Sequence, residues 1–333
     1  MKHIITLIAI SIISTSCVFK TKADKGADGE DGLLKKKITI TSNEVEDIVS
    51  YLASDKLEGR NTGTEEIDLA AEYISNNFKE NRVKPYFDNY LDEFSFTTRD
   101  STSLKGFNVV GYLPGHDEKL RDEFILVGAH YDHIGFGKKI ENDSIANGAN
   151  DNATGTSAVM SVAKYFANAK SNKRSLVFAL FSAEEMGLRG SRALAEKLKA
   201  NGIDLYTVVN FEMLGVPFKD RDYEVFLTGF NESNFAEKFN SYQGTNIIGF
   251  SEVSKKYSLF RRSDNYPFYE AFKIPSHTIS SCDLTNFDHY HGVGDEADIM
   301  NYEFLASVIN KLIPGIEKMA NTPTKEIQLN AEE

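Results

Sequence analysis

Three mostly apolar runs, at Phe124–Ala129, Ser175–Phe181 and Val208–Leu214, the first two nearly continuous, alternate with segments whose apolar residues recur at helical spacing. A strand with one wet face alternates polar and apolar residues. A continuously apolar strand is therefore one covered on both sides. The intervening helices supply that cover, which predicts an α/β fold: a mixed, mostly parallel central sheet with helices on both faces. The remaining pattern fits. A further strand over Phe107–Leu113 is closed by Pro114-Gly115, and helices are expected over Thr154–Ala169, Ser191–Ala200 and Asn301–Ala320. Upstream, Thr41-Ser42-Asn43-Glu44 has capping-box spacing and is followed by Ile48, Leu52 and Leu57. A second helical pattern runs from Thr64 to about Asn81, with Ile67, Ala70, Ala71 and Ile74 on one side. No internal repeat or linker interrupts residues 41–325, which read as a single domain.

The first 17 residues read as an address. Lys2 and His3 precede an apolar stretch from Ile4 to Ile13, then Ser14-Thr15-Ser16-Cys17. The stretch has signal-peptide length and is too short to span a bilayer comfortably. It resembles a bacterial lipoprotein signal in which Cys17 becomes the lipidated N-terminus. Ser14 departs from the usual larger aliphatic residue, which keeps ordinary cleavage near Ser16, and a retained anchor, as alternatives. Residues 18–40 read as a flexible tether rich in Lys, Asp and Gly. The expected location is outside the cytoplasm: a cell-envelope lipoprotein, periplasmic or at the outer membrane, or a secreted protein. Membrane contact is expected only through Cys17. With two cysteines in 333 residues there is no disulfide framework, and Cys282 reads as a buried strand thiol. The net charge of −12 argues against a nucleic-acid partner, which needs a basic face.

The polar residues at the ends of the predicted strands carry the functional signal, because ligands in open α/β sheets gather at the strands' carboxyl ends. His130-Tyr131-Asp132 closes the first run. A metal-bound imidazole commonly gives its other N–H to a carboxylate, so Asp132 can orient His130; a strand-end histidine beside a surface carboxylate is the plainer alternative. Asp151, within Asn150-Asp151-Asn152-Ala153-Thr154-Gly155, either lies between two cations or caps the next helix. Glu184 and Glu185 follow the apolar strand ending at Phe181. One can bind metal while the other moves a proton, or both can sit beside a helix dipole. Glu212 lies among apolar neighbours and needs a partner. His289 and His291 are both offered by Asp288-His289-Tyr290-His291. A set of His, Asp and Glu suits zinc pairs that keep a position for water.

The order H-x-D, N-D-N-A-x-G, A-E-E-x-G-x-x-G-S, N-x-[DE]-M-x-G and Y-H resembles that of the M28 family of co-catalytic zinc peptidases, over roughly residues 105–300. The resemblance implies a zinc-exopeptidase fold of the phosphorylase/hydrolase-like type, two Zn²⁺ as cofactors and peptides as substrates. It implies an exopeptidase, foremost an aminopeptidase, that cleaves with a metal-bridged water. Dipeptidase and carboxypeptidase activities also occur among relatives. On this resemblance His130, Asp151, Glu185, Glu212 and His291 are metal ligands, with Asp151 bridging. Glu184 is the general acid/base, Asp132 orients His130, and Tyr290 helps hold the oxyanion. A cis Asp151–Asn152 peptide is also implied. Glu212 replaces the family's usual aspartate. The loop after His291 departs from Thr-Pro-x-Asp but keeps Asp295. Ser263-Asp264-Asn265-Tyr266-Pro267-Phe268 resembles S-D-H-x-x-F; Asp264 either supports the site or caps a helix. Residues 255–262 form a basic and aromatic loop, read as an exposed connection or as a lid. The rival readings are a single-zinc glutaminyl cyclase and a non-catalytic surface lipoprotein.

Overall fold

A computed structural model of the protein describes residues 38–331. The signal, Cys17 and most of the tether lie outside the described residues. Ile40, placed by sequence in the tether, is buried, and its N–H and C=O both bond the side chain of Asn310. At the other end the structured chain runs past 325: Ile327 is buried and Leu329 bridges to Ser233.

The strands are β1 Lys84–Pro85, β2 Leu91–Thr97, β3 Ser103–Leu113, β4 Glu123–His130, β5 Gly135–Ile140, β6 Asp143–Ala146, β7 Ser175–Phe181, β8 Asp204–Glu212, β9 Val225–Leu227, β10 Ile248–Gly249 and β11 Ser276–Ser280. The helices are α1 Ser42–Leu52, α2 Glu65–Glu80, α3 Gly155–Ala169, α4 Arg189–Ala200, α5 Phe235–Gln243, α6 Glu252–Lys256, α7 Asn265–Phe272 and α8 Tyr302–Asn321. The capping box at Thr41 and Glu44 is formed.

The main sheet has the order β1-β3-β7-β4-β8-β11-β9-β10, with β2 also paired to β3; β5 and β6 form a separate hairpin. Strands β7, β4, β8 and β11 run parallel, and antiparallel β3 and β9 flank them. The mixed, mostly parallel sheet expected from the apolar runs is therefore present. Alternate residues of β4 feed opposite cores: Ile125 and Val127 pack on the side of α1, α2, α3 and α8, and Leu126 packs with Leu194 and Leu198 of α4 and Phe268 of α7. Both faces are dry, which explains why these strands lack alternation.

The chain leaves β4 through α3 to β7 on one side, then passes through α4 to β8 on the other. Strand β4 is thus the point where strand order reverses, and a crevice opens outside its carboxyl end.

Candidate metal centre

His130 is the last residue of β4, and Asp132 and His133 lie just beyond it, after Tyr131. Asp151 lies in the loop Ala149–Thr154 that leads into α3, and a cis peptide joins it to Asn152. Glu184 and Glu185 follow β7, Glu212 ends β8, and His291 lies between β11 and α8. Folding brings these side chains together. His130 Nε2 stands 3.3 Å from Asp151 Oδ1, and His291 Nε2 stands 3.3 Å from Asp151 Oδ2. His291 Nε2 is also 3.1 Å from Glu185 Oε2. His289 is exposed and meets Phe287 edge-on instead.

The residues around Asp151 explain the Asn-Asp-Asn-Ala-Thr run. Asn150 Oδ1 accepts the N–H of Gly215 at 2.9 Å, Asn152 Oδ1 accepts that of Met213 at 3.1 Å, and Thr154 Oγ1 accepts that of Leu214 at 3.0 Å. Asn152 also donates to the carbonyl of Phe211. These side chains stitch the Asp151 loop to the end of β8, and so fix Asp151 relative to Glu212. From the opposite side Asp295 accepts the N–H groups of Asn150 and Asp151 at 2.7 and 3.0 Å.

Asp132 is fully buried and adjoins His130 through both its carbonyl and its carboxylate. The nearest acceptor for His130 Nδ1 is the backbone carbonyl of Asp132 at 3.1 Å, with the carboxylate at 3.6 Å. Oδ1 of Asp132 accepts the N–H of Glu184 at 3.2 Å, and Thr62 donates to Oδ2. Asp132 therefore ties the end of β4 to the Glu184 turn. Glu212 accepts a short hydrogen bond from Ser263. Asp264 is buried at the start of α7 but makes no cap hydrogen bond.

The centre contains one residue that sequence reasoning missed. His133 is fully buried, with Nδ1 3.1 Å from Glu185 Oε1 and 3.9 Å from Asp151 Oδ2. The signal was a second histidine in His130-Tyr131-Asp132-His133. Alternation gave no direction for it, because the strand ends at His130. Gly148 makes room for its ring: a Cβ there would lie 2.5 Å from the imidazole, and its φ of +61° is left-handed.

A buried arginine anchors both ligand loops. Arg60 donates to the carbonyls of Tyr131 at 2.8 Å, Asn147 at 2.6 Å and Gly148 at 2.9 Å, and to Leu52. Burial lowers its pKa to about 10, while Asp295, Asp132, Asp151 and Glu185 favour its charge.

The electrostatics favour positive charge. Burial would raise Asp151, but His130 and His291 hold it well below the usual carboxylate range. Burial and Asp151 oppose ionisation of Glu185, yet His133 and His291 bring it below its ordinary value. Burial with neighbouring carboxylates pushes Glu212 and Asp264 up to about 7, and Glu184 well above its normal value. Burial works against the charge of His291, but Asp151 and Glu185 raise it to about 10. Carboxylates crowded out of water are costly unless cations compensate them. In addition, His133 Nδ1 and Nε2, His291 Nε2 and Glu185 Oε1 are buried without completing a hydrogen bond. Imidazole and carboxylate donors that face one another without bonding fit a divalent cation of the zinc type.

A pocket adjoins the carboxylates. Glu184, Glu212 and Tyr290 line one part, Met213, Phe226, Leu259 and Leu284 provide apolar surface, and Arg262 also lines it. The basic and aromatic segment thus contributes Leu259 and Arg262 to this pocket. The ring of Tyr290 stacks on His291 at 3.9 Å between centroids. Cys282, also at this pocket, is buried as expected, though it lies two residues beyond β11 rather than in a strand, and burial pushes its thiol up to about 12.

This arrangement of sheet and crevice is the zinc-exopeptidase architecture. A zinc aminopeptidase of Bacillus subtilis, BSAP, superposes with a TM-score of 0.69 at 14% identity, over 87% of this chain and 98% of that one. The glutaminyl cyclase of Fimbriiglobus ruber superposes with a TM-score of 0.67 at 17% identity, over 85% and 96%. Such identities establish shared fold alone. By sequence, aminopeptidase YwaD of Bacillus subtilis (strain 168) is 30% identical over 171 residues, covering 51% of this chain and 34% of the relative. The chain spans 22–34% of the length of curated relatives of this kind. The model of peptidase family M28 matches residues 108–313, and the chain belongs to that family.

Proposed function

We propose that the protein is a zinc-dependent exopeptidase, an aminopeptidase that removes N-terminal residues from peptides at a two-ion centre. One observation carries the reading: the two oxygens of Asp151 face two different imidazoles, each at 3.3 Å, as a bridging carboxylate requires. His130, Asp151 and Glu212 would hold one zinc, and Asp151, Glu185 and His291 the other. When bound, the ions polarise the scissile carbonyl and acidify the attacking water.

The chain's own residues supply the rest. Glu184 does not share the contacts that occupy Glu185, and it lines the pocket beside the centre. Its desolvated carboxyl has raised proton affinity, which suits a group that takes a proton from water and returns it to the leaving amine. Tyr290 keeps its phenolic proton, because burial and nearby carboxylates raise its pKa; it can donate to the developing oxyanion. Asp132 fixes the Glu184 backbone and receives His130. The apolar part of the pocket suits an apolar side chain next to the scissile bond.

The cyclase fold relative supports one rival, a single-zinc intramolecular acyl transfer on an N-terminal glutaminyl peptide. The placement of His130 on the second oxygen of Asp151 favours two ions. Zinc analysis combined with aminoacyl-nitroanilides, dipeptides, C-terminally blocked peptides and an N-terminal glutaminyl peptide tests the reading. Two zinc ions per chain with nitroanilide hydrolysis are expected. One ion with cyclisation alone would replace this reading by the cyclase, and cleavage only of dipeptides or at C-termini would redirect it within the family. We also read residues 1–17 as a lipoprotein signal, which metabolic labelling with palmitate tests at Cys17.

A further inference from the structure

We propose that His133 is a fourth protein ligand of the ion held by Asp151, Glu185 and His291, which makes the two ends of the centre unequal. The proposal rests on the two-ion reading above. His133 and His291 approach the same pair of carboxylates from different sides, with ring centroids 5.6 Å apart and planes at 72°. His133 Nδ1 is 3.1 Å from one oxygen of Glu185, and His291 Nε2 is 3.1 Å from the other. Both nitrogens also face Asp151 Oδ2, at 3.9 and 3.3 Å.

The alternative is that His133 merely orients Glu185 through a hydrogen bond. That role needs an N–H aimed at the carboxylate oxygen. Neither ring nitrogen of His133 completes a hydrogen bond, and neither does Glu185 Oε1, although all are sealed from solvent. Donors that stand close without pointing at one another share an aim toward a third point, and a cation there satisfies them together.

The surroundings hold the ring for this purpose. Gly148 passes against it where a side chain would collide. The backbone N–H of His133 points to the carbonyl of Arg60 at 3.4 Å, and the Arg60 guanidinium grips the carbonyls of Gly148 and Asn147. The imidazole is thus fixed by the same buried arginine that sets the Asp151 loop.

The chemical consequence is an asymmetry. Two carboxylates and two imidazoles form a closed set that holds its ion tightly. The other end, with His130, Asp151 and Glu212, keeps three protein ligands and an open position. The closed end then acts as an anchor, and substrate exchange belongs to the open end.

Zinc-edge X-ray absorption on the zinc-loaded full chain, with timed release to a chelator, tests this. Wild type is expected to show three imidazoles shared by two ions and to release zinc in two phases. His133→Ala should show two imidazoles, and its slow phase should accelerate by about tenfold or more. His133→Gln, which retains a hydrogen-bond donor, should behave like the alanine variant. If the wild-type spectrum itself requires only two imidazoles, the proposal falls even if neither variant folds. It also falls if folded His133→Ala keeps the wild-type spectrum and release rate. A chain that binds no zinc at all would overturn the two-ion reading and this one together, whereas two zinc ions bound with two imidazoles would overturn this one only.

Discussion

The carboxylate of Asp295 accepts the backbone N–H of Asp151 at 3.0 Å, across 144 residues of sequence. Its other oxygen takes the N–H of Asn150. The residue that would join two ions is therefore aimed from its own backbone by a distant loop. Burial raises the Asp295 carboxyl to about 6, so these two N–H groups face a group that ionises reluctantly. Asp295→Asn retains one acceptor and turns an NH₂ group toward an N–H donor. We expect zinc affinity to fall by about 10- to 100-fold, as for other residues that hold metal ligands in place. Zinc content after dialysis against graded chelator measures it, and a wild-type retention curve would contradict the positioning role.

Arg60 carries a second prediction. Its guanidinium is fully buried and bonds backbone carbonyls rather than a carboxylate. Arg60→Met leaves those carbonyls unpaired and removes the buried positive charge near Asp132, Asp151, Glu185 and Asp295. A loss of about 3–5 kcal/mol is expected, the range for breaking a buried charged arrangement. Urea unfolding of the metal-free chain reads this directly. An unchanged midpoint would show that the loops hold themselves.

Glu184→Gln separates proton transfer from metal binding. The amide keeps the shape but cannot carry a proton. Turnover should drop by about 10²- to 10⁴-fold, the usual worth of a positioned acid/base, with zinc content preserved. Near-normal turnover would remove Glu184 from the mechanism; parallel loss of zinc would instead make it a ligand.

A fourth prediction concerns pH and lies outside the metal centre. His277 in β11 is buried between Phe235 and Phe260. Its Nδ1 lies 2.8 Å from the carbonyl of Thr228, which can only accept, so Nδ1 carries the proton and Nε2 accepts from Ser233 at 2.7 Å. Burial lowers its pKa from 6.5 to about 4. Between these values the unfolded chain takes a proton that the folded chain refuses. The contribution is complete above about 6.5 and is lost as pH falls toward 4. From about pH 7 to about pH 5 this group should cost the wild type about 2 kcal/mol of stability. Denaturation of His277→Gln should lack that component, and an identical pH dependence in the two proteins would refute the assignment.

The elements that hydropathy revealed are those whose burial is paid for by carbon. Strands β4 and β7 were legible almost to the residue, because every side chain in them but a terminal few is apolar and buried. Strand β11 was not. Its sequence Ser-His-Thr-Ile-Ser is fully buried, yet four of its five residues are polar. Their partners are remote: Ser276 bonds the carbonyl of Asn265, Thr278 bonds the side chain of Asn265, and His277 bonds Ser233 and Thr228. A local window cannot see such satisfaction. The same limit hid His133, whose direction depends on a turn after β4 and on space left by Gly148. His130, Glu184, Glu185 and Glu212 were legible because each stands where a mostly apolar strand stops, and Asp151 because a small polar run leads into α3.

The innermost strand, β4, has parallel neighbours on both sides, whereas β1, β2 and β10 lie at or near the sheet's margins. Chain added or removed at those margins would leave the pairing of β4 with β7 and β8 intact, and with it the position of His130 at the end of β4.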